Sequence, residues 1–124
     1  MLDDARLVAF AASTDLERSK AFYGGVLGLP VVEDSPYAAA FQTPNATLRV
    51  TAVEEHVRAP YTVLGWDVDD ITARVRALVA VGVAFHRYDG MGQDDDGVWT
   101  APGGAQVAWF ADPDGNILSL TQHP

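Results

Sequence analysis

Few residues in this chain could do chemistry, and most of them sit in strand-like runs. Leu118-Ser119-Leu120 sets one hydroxyl between two apolar side chains, so alternation puts Ser119 with Ile117 and Thr121 on one face. Thr47-Leu48-Arg49-Val50-Thr51 does the same for a guanidinium between two hydroxyls. Such an arginine can clamp a carboxylate or stack on an aromatic ligand. The plainer alternatives are a solvated strand arginine or a pair with Asp67. His86 is the only histidine within a strand-like run, and it is the candidate catalytic base if it faces a site. His56 and His123 are expected to be exposed. Asp94-Asp95-Asp96 lacks the alternating ligands of a calcium loop. It reads as a solvated, mobile loop that Gly90, Gly92 and Gly97 would let close over a site. No nucleophile elbow, phosphate loop or HExxH pattern is present.

The composition narrows the classes of function. At 124 residues, 48% apolar and 20% charged, the chain reads as one soluble domain with a real core. The absence of cysteine excludes disulfides, thiolate catalysis and thiolate-held metals. No stretch fits a signal peptide or a membrane span, so a cytoplasmic protein is expected. Net charge is −9 and Lys20 is the only lysine. That argues against nucleic acid and anionic membranes as partners, since both need clustered cations.

The elements that must position these residues repeat a plan. Leu7 to Ala12 has strand length. Ser13-Thr14-Asp15 then caps a helix over LERSKAFYGGVLGL, which Gly28 ends and Pro30 stops from continuing. Three extended pieces follow, at Val31–Asp34, Ala38–Gln42 and Thr47–Val53. The second half offers Thr62–Val68 as a strand and Asp69-Asp70 as the cap of ITARVRALVAVG. After these come a strand at Val83–Tyr88, a polar loop, and a hairpin of Ala105–Phe110 with Ile117–Thr121 turning at Asp112-Pro113-Asp114-Gly115-Asn116. Pro44 and Pro113 are 69 residues apart, as are Phe41 and Phe110. The reading is one α+β domain over residues 1–124, made of two β-α-β-β-β modules, residues 5–53 and 61–122, joined by 54–60. In each module the helix would cover the outer sheet face. The other face would curve into a cup, and the modules must associate.

DLERSKAFYGGVLGL, GWDVDDITARVRALVAVGVAF and AWFADPDGNILSLTQ, in that order, resemble the first helix, the second strand–helix–strand and the closing hairpin of the vicinal oxygen chelate superfamily. That superfamily includes glyoxalase, bleomycin-resistance and extradiol dioxygenase proteins. The resemblance covers about residues 6–122. It implies paired βαβββ modules, a curved mixed-sheet cup as the site, and a homodimer. It names no single reaction, because the superfamily holds lyases, isomerases, dioxygenases and drug binders. Its metal-dependent members place four His or Glu ligands at positions that fall here on Val8, Arg49, Val63 (or Tyr61) and Ser119. Apolar groups, a guanidinium and a serine make no divalent site, so neither metal nor cofactor is expected.

The cup face is expected to carry Val8, Phe10, Ala12, Thr47, Arg49, Thr51, Val63, Gly65, Asp67, Ile117, Ser119 and Thr121. His86 and Tyr88 join if Phe85 and Arg87 point away. Trp66 is expected in the core against the helix, Trp99 could lid the cup, and either Trp109 or Phe110 faces it. Phe10, Arg49, Asp67, His86, Trp99, Trp109 and Ser119 are therefore the ligand-binding candidates. The first functional reading is a metal-free binder of small molecules, as in sequestration of a drug or metabolite. The second is a lyase, isomerase or dioxygenase-like enzyme with a non-standard or metal-independent site, for which His86, Glu33, Asp67 and the loop aspartates are candidates. The third is a partner-binding module.

Overall fold

A computed structural model describes all residues, Met1 to Pro124. The chain divides into two compact units, Met1–Arg58 and Ala59–Pro124. Each is a four-stranded mixed sheet with a helical segment between its first and second strands, so the fold is α+β, built of two βαβββ modules.

In the first unit, β1 (Leu7–Ser13) lies parallel to β4 (Ala46–Ala52). β3 (Ala38–Gln42) and then β2 (Val31–Asp34) complete the sheet antiparallel to one another, in the order β1-β4-β3-β2. Asp15 caps α1 (Leu16–Lys20), its carboxylate accepting the Arg18 N–H at 3.2 Å. The helix then widens into a π-helical segment, Ala21–Val26, where the Leu27 N–H reaches the Phe22 carbonyl five residues back. The expected single α-helix is thus two kinds of helix in series. The widened turn buries Tyr23 completely, edge-on to Phe22 and 5.8 Å from the Phe41 ring. Phe41 therefore faces the helix, and so do Leu48 and Val50, its neighbours across and along the sheet. Buried Ser13 joins that face through a 2.6 Å hydrogen bond to buried Ser19 on the helix.

In the second unit, β5 (Thr62–Asp67) is parallel to β8 (Ile117–Gln122), followed by β7 (Gln106–Ala111) and the short edge strand β6 (Trp99–Thr100), in the order β5-β8-β7-β6. Asp70 caps α2 (Ile71–Ala80) from a left-handed backbone conformation. Ile71 and Val75 are buried under this helix, whereas Val79 is exposed, so the apolar stripe is narrower than the sequence suggests. Phe110 and Leu118 are buried on the same side, with the Phe85 ring 5.2 Å from Phe110. Trp66 lies on this side too, but only half-buried, because β5 is an edge strand of its sheet.

The β7–β8 turn is held by one buried carboxylate. Asp112 accepts the backbone N–H groups of Asp114 and Asn116 and the Asn116 side-chain amide. Gly115 takes the positive φ the turn requires.

One expected strand is absent. Val83–Tyr88 forms no strand, and its backbone meets β7 at the His86 N–H, which bonds the Trp109 carbonyl 2.7 Å away. The fourth ladder position of the module is filled by Trp99 and Thr100 instead.

Candidate functional site

Register decides which side chains each sheet presents away from its helix. In the first unit Phe10 pairs with Arg49, Arg49 with Ala40, and Ala40 with Glu33. Directly opposed residues share a face, so these four form one row on the helix-free side. Glu33 reaches that row through a β-bulge between Val31 and Glu33, since strict alternation would have turned it toward the helix. The Arg49 Nη1–Glu33 Oε2 distance is 2.6 Å, and Ala40, 4% exposed, lies in register between the two. The partner of Arg49 is thus Glu33, and Asp67 pairs elsewhere. Phe10 stands 64% exposed and Val8 is exposed beside it.

In the second unit the row is Gly65–Ser119–Trp109, with Asp67–Thr121–Val107–Trp99 next to it. Trp109, not Phe110, occupies the helix-free face. Its ring is 5.5 Å from Tyr88 in an edge-on contact and 6.1 Å from Trp99. His86 packs edge-on to Tyr88 with Nδ1 3.4 Å from the phenol oxygen. His86 and Tyr88 therefore join this face, while Phe85 and Arg87 point toward the helix side. Trp99 is a strand residue of this ring cluster and does not form a lid. Ser119 is 8% exposed. A Cβ at Gly65 would stand 2.7 Å from the Ser119 Oγ, so the glycine makes room for the hydroxyl. Asp67 is exposed and lies 3.1 Å from His123 Nε2 at the chain's end. His123 is exposed as expected, whereas His56 has its Nε2 buried.

The loop expected to be mobile is tied down. The Gln93 carboxamide donates to the His86 and Gly97 carbonyls, at 2.9 and 2.8 Å, and accepts the Tyr88 N–H at 2.7 Å. It acts as a peptide unit in the place of a neighbouring strand. Two of the three acids are engaged as well. Asp94 accepts the Asp96 and Val98 N–H groups, and Asp96 takes a two-pronged bond from Arg76 that raises the guanidinium pKa. Sequence reading missed Gln93, because an isolated glutamine between glycine and aspartate carries no pattern.

Val8, Arg49, Val63 and Ser119, the positions at which the resemblance places metal ligands, are all strand residues, Val63 at a second β-bulge. Two hydrocarbon side chains, a guanidinium and one hydroxyl do not fit a divalent ion. No group of three or more His, Asp or Glu residues comes together to hold one.

Two βαβββ modules, each with a helix on one face of a four-stranded mixed sheet, define the class of protein. The family model for the glyoxalase/bleomycin resistance protein/dioxygenase superfamily matches residues 7–120, and the chain belongs to that superfamily. Among solved structures it resembles lactoylglutathione lyase from Agrobacterium tumefaciens, at 18% identity over 95% of this chain and 92% of that one, with a TM-score of 0.74. It also resembles a glyoxalase-related enzyme from Fulvimarina pelagi, at 24% identity over 95% and 87% of the two chains, TM-score 0.72. A glyoxalase/bleomycin resistance protein/dioxygenase from Nocardioides matches at 19% identity, 95% and 82% coverage and a TM-score of 0.72. These likenesses concern the fold. No curated protein matches the sequence.

Proposed function

We propose that this protein is a metal-free binder of small molecules that sequesters a drug or metabolite. It works in the cytoplasm as a homodimer, with its two modules as the halves of one domain. The observation that carries the reading is the ring cluster of Trp99, Trp109 and Tyr88, with His86 at its edge, on the helix-free face of the second module. Flat aromatic surfaces with a few polar groups beside them, here Ser119 and Asp67, suit a ligand with an apolar body. The donor chemistry of Val8, Arg49, Val63 and Ser119 supports the metal-free part. No helix is long and apolar enough to cross a membrane. The exposed Leu7, Val8 and Phe10 support a partner surface for the dimer.

The test is elemental analysis of the purified protein together with a tryptophan-fluorescence titration against small aromatic ligands. Saturable quenching that Trp109→Ala removes, with no bound metal, is the expected result. Stoichiometric metal, with function lost on chelation, would sink the reading.

A second reading, a metal-independent enzyme, is favoured by His86 and Tyr88 standing 3.4 Å apart on the same face. It predicts a turnover that His86→Ala abolishes without weakening ligand binding.

A further inference from the structure

The ion pair of the first module sits where an ion pair has little structural purpose. Its edge strand, β2, is four residues long, and every one of them is exposed. Arg49 is 35% exposed by side chain and Glu33 43%, so their mutual attraction is largely offset by hydration. Only Nη1 and Oε2 form the contact, which leaves the rest of the guanidinium fork outside the pair. Most other cations with a visible role serve local structure. Arg6 bonds the Thr43 and Ala46 carbonyls, Lys20 pairs with Glu17 and Asp34, and Arg76 holds Asp96. Arg49 instead stands mid-sheet on the helix-free face, with Thr47 and Thr51 along its strand and exposed Phe10 across from it.

From this geometry we infer that Glu33 stands in for the carboxylate of a ligand. Arg49 exchanges it for the carboxylate of a small acid with a flat apolar body, and that body lies on Phe10. The inference goes beyond the small-molecule reading above: it concerns the first module's helix-free face and names the class of ligand taken there. A guanidinium binds a carboxylate through two parallel N–H···O bonds, so a ligand free to align gains over the single contact Glu33 makes from its strand. Releasing Glu33 costs little, because it belongs to a bulged, exposed edge strand and regains its hydration. The net charge of −9 opposes an anion at long range, but salt screens that field within about 8 Å under physiological conditions.

The experiment measures benzoate and benzamide binding by calorimetry to the whole protein, Glu33→Gln and Arg49→Gln. Both variants delete the same ion pair, so a merely structural pair predicts equal stability losses and equal changes in affinity. The inference predicts opposite changes. Benzoate should bind Glu33→Gln about tenfold more tightly than the parent and Arg49→Gln about tenfold more weakly or worse, with benzamide the same in all three. Urea midpoints confirm that both variants fold. Benzoate affinity that moves in parallel in the two variants, fails to exceed that of benzamide, or is undetectable in all three would overturn the inference. Trp109-dependent binding that persists in that case leaves the broader reading standing. Stoichiometric metal would bring the broader reading down whatever benzoate does.

Discussion

Arg49 and Ser119 hold the same place in the two modules. Each follows a leucine opposed to a buried phenylalanine, Leu48 against Phe41 and Leu118 against Phe110. Around these equivalent positions the helix-free rows have opposite shapes. The first runs Phe10, Arg49, Ala40, with bulk at the sheet edge and a gap inside. The second runs Gly65, Ser119, Trp109, with space at the edge and bulk inside. The helix-facing sides show no such contrast, because closed packing under a helix accepts few shapes. One module has become charged on its open face and the other aromatic, on the same backbone plan.

The largest expected effects test the shared half of that comparison. Phe41→Ala and Phe110→Ala each empty a fully buried ring position and should each cost about 3–5 kcal/mol in urea unfolding. Similar losses would show that the two helix-facing cores carry equal weight. A loss under about 1 kcal/mol at either position would show that the modules are not equivalent in packing.

That equivalence was legible in sequence because it is written locally. Caps at Asp15 and Asp70, turns at Pro44 and Pro113, and alternation in β4 and β8 need only neighbouring residues to be recognised. The family resemblance then implied that the two modules pair around a curved sheet, while the order of strands within each sheet came from the structure. Three site features were not legible. The Val31/Glu33 bulge adds one residue to β2 and so turns Glu33 to the face of Arg49, and no local propensity marks that insertion. Val83–Tyr88 has strand-like alternation, yet its polar partner is a side chain, Gln93, supplied from a loop that composition describes only as polar. The register that separates Trp109 from Phe110 likewise came from pairing across β7 and β8.

Gln93 gives the next effect in size, and it belongs to the second module alone. Gln93→Ala removes three hydrogen bonds and leaves backbone groups of residues 86, 88 and 97 to find water. A loss of about 1–3 kcal/mol is expected, with amide exchange rising at 86–97 and not in the first module. Exchange that stays slow there would mean that the ring cluster, rather than the glutamine, holds the segment.

The Gly65–Ser119 contact probes why the second row is small at its edge. Gly65→Ala places a methyl 2.7 Å from the Ser119 Oγ and should destabilise by about 1–2 kcal/mol. Removing the hydroxyl as well, in Gly65→Ala with Ser119→Ala, should recover at least about 0.5 kcal/mol of that loss. Strict additivity of the two changes would separate the glycine from the serine. The small edge would then need another cause.

The smallest effect returns to the first module and its edge strand. Lys20 bonds Glu17 on its own helix and Asp34 at the end of β2, and both carboxylates, Glu17 foremost, raise its pKa. A group whose pKa is raised by folding lends its stability below the unfolded value. That stability is whole under about pH 10 and is lost as the pH climbs through the folded value. Lys20→Met should therefore lower stability slightly at neutral pH, where the pairing is whole, and flatten the alkaline end of the profile, so that variant and parent converge above the folded value. Asp34 is the neighbour of Glu33, so the same substitution loosens the strand that holds Glu33 beside Arg49. If Glu33 stands in for a ligand's carboxylate, benzoate should bind Lys20→Met slightly more tightly than the parent. Weaker binding would mean that β2 must stay docked for Arg49 to be presented, and that the ion pair organises the first row before any ligand arrives.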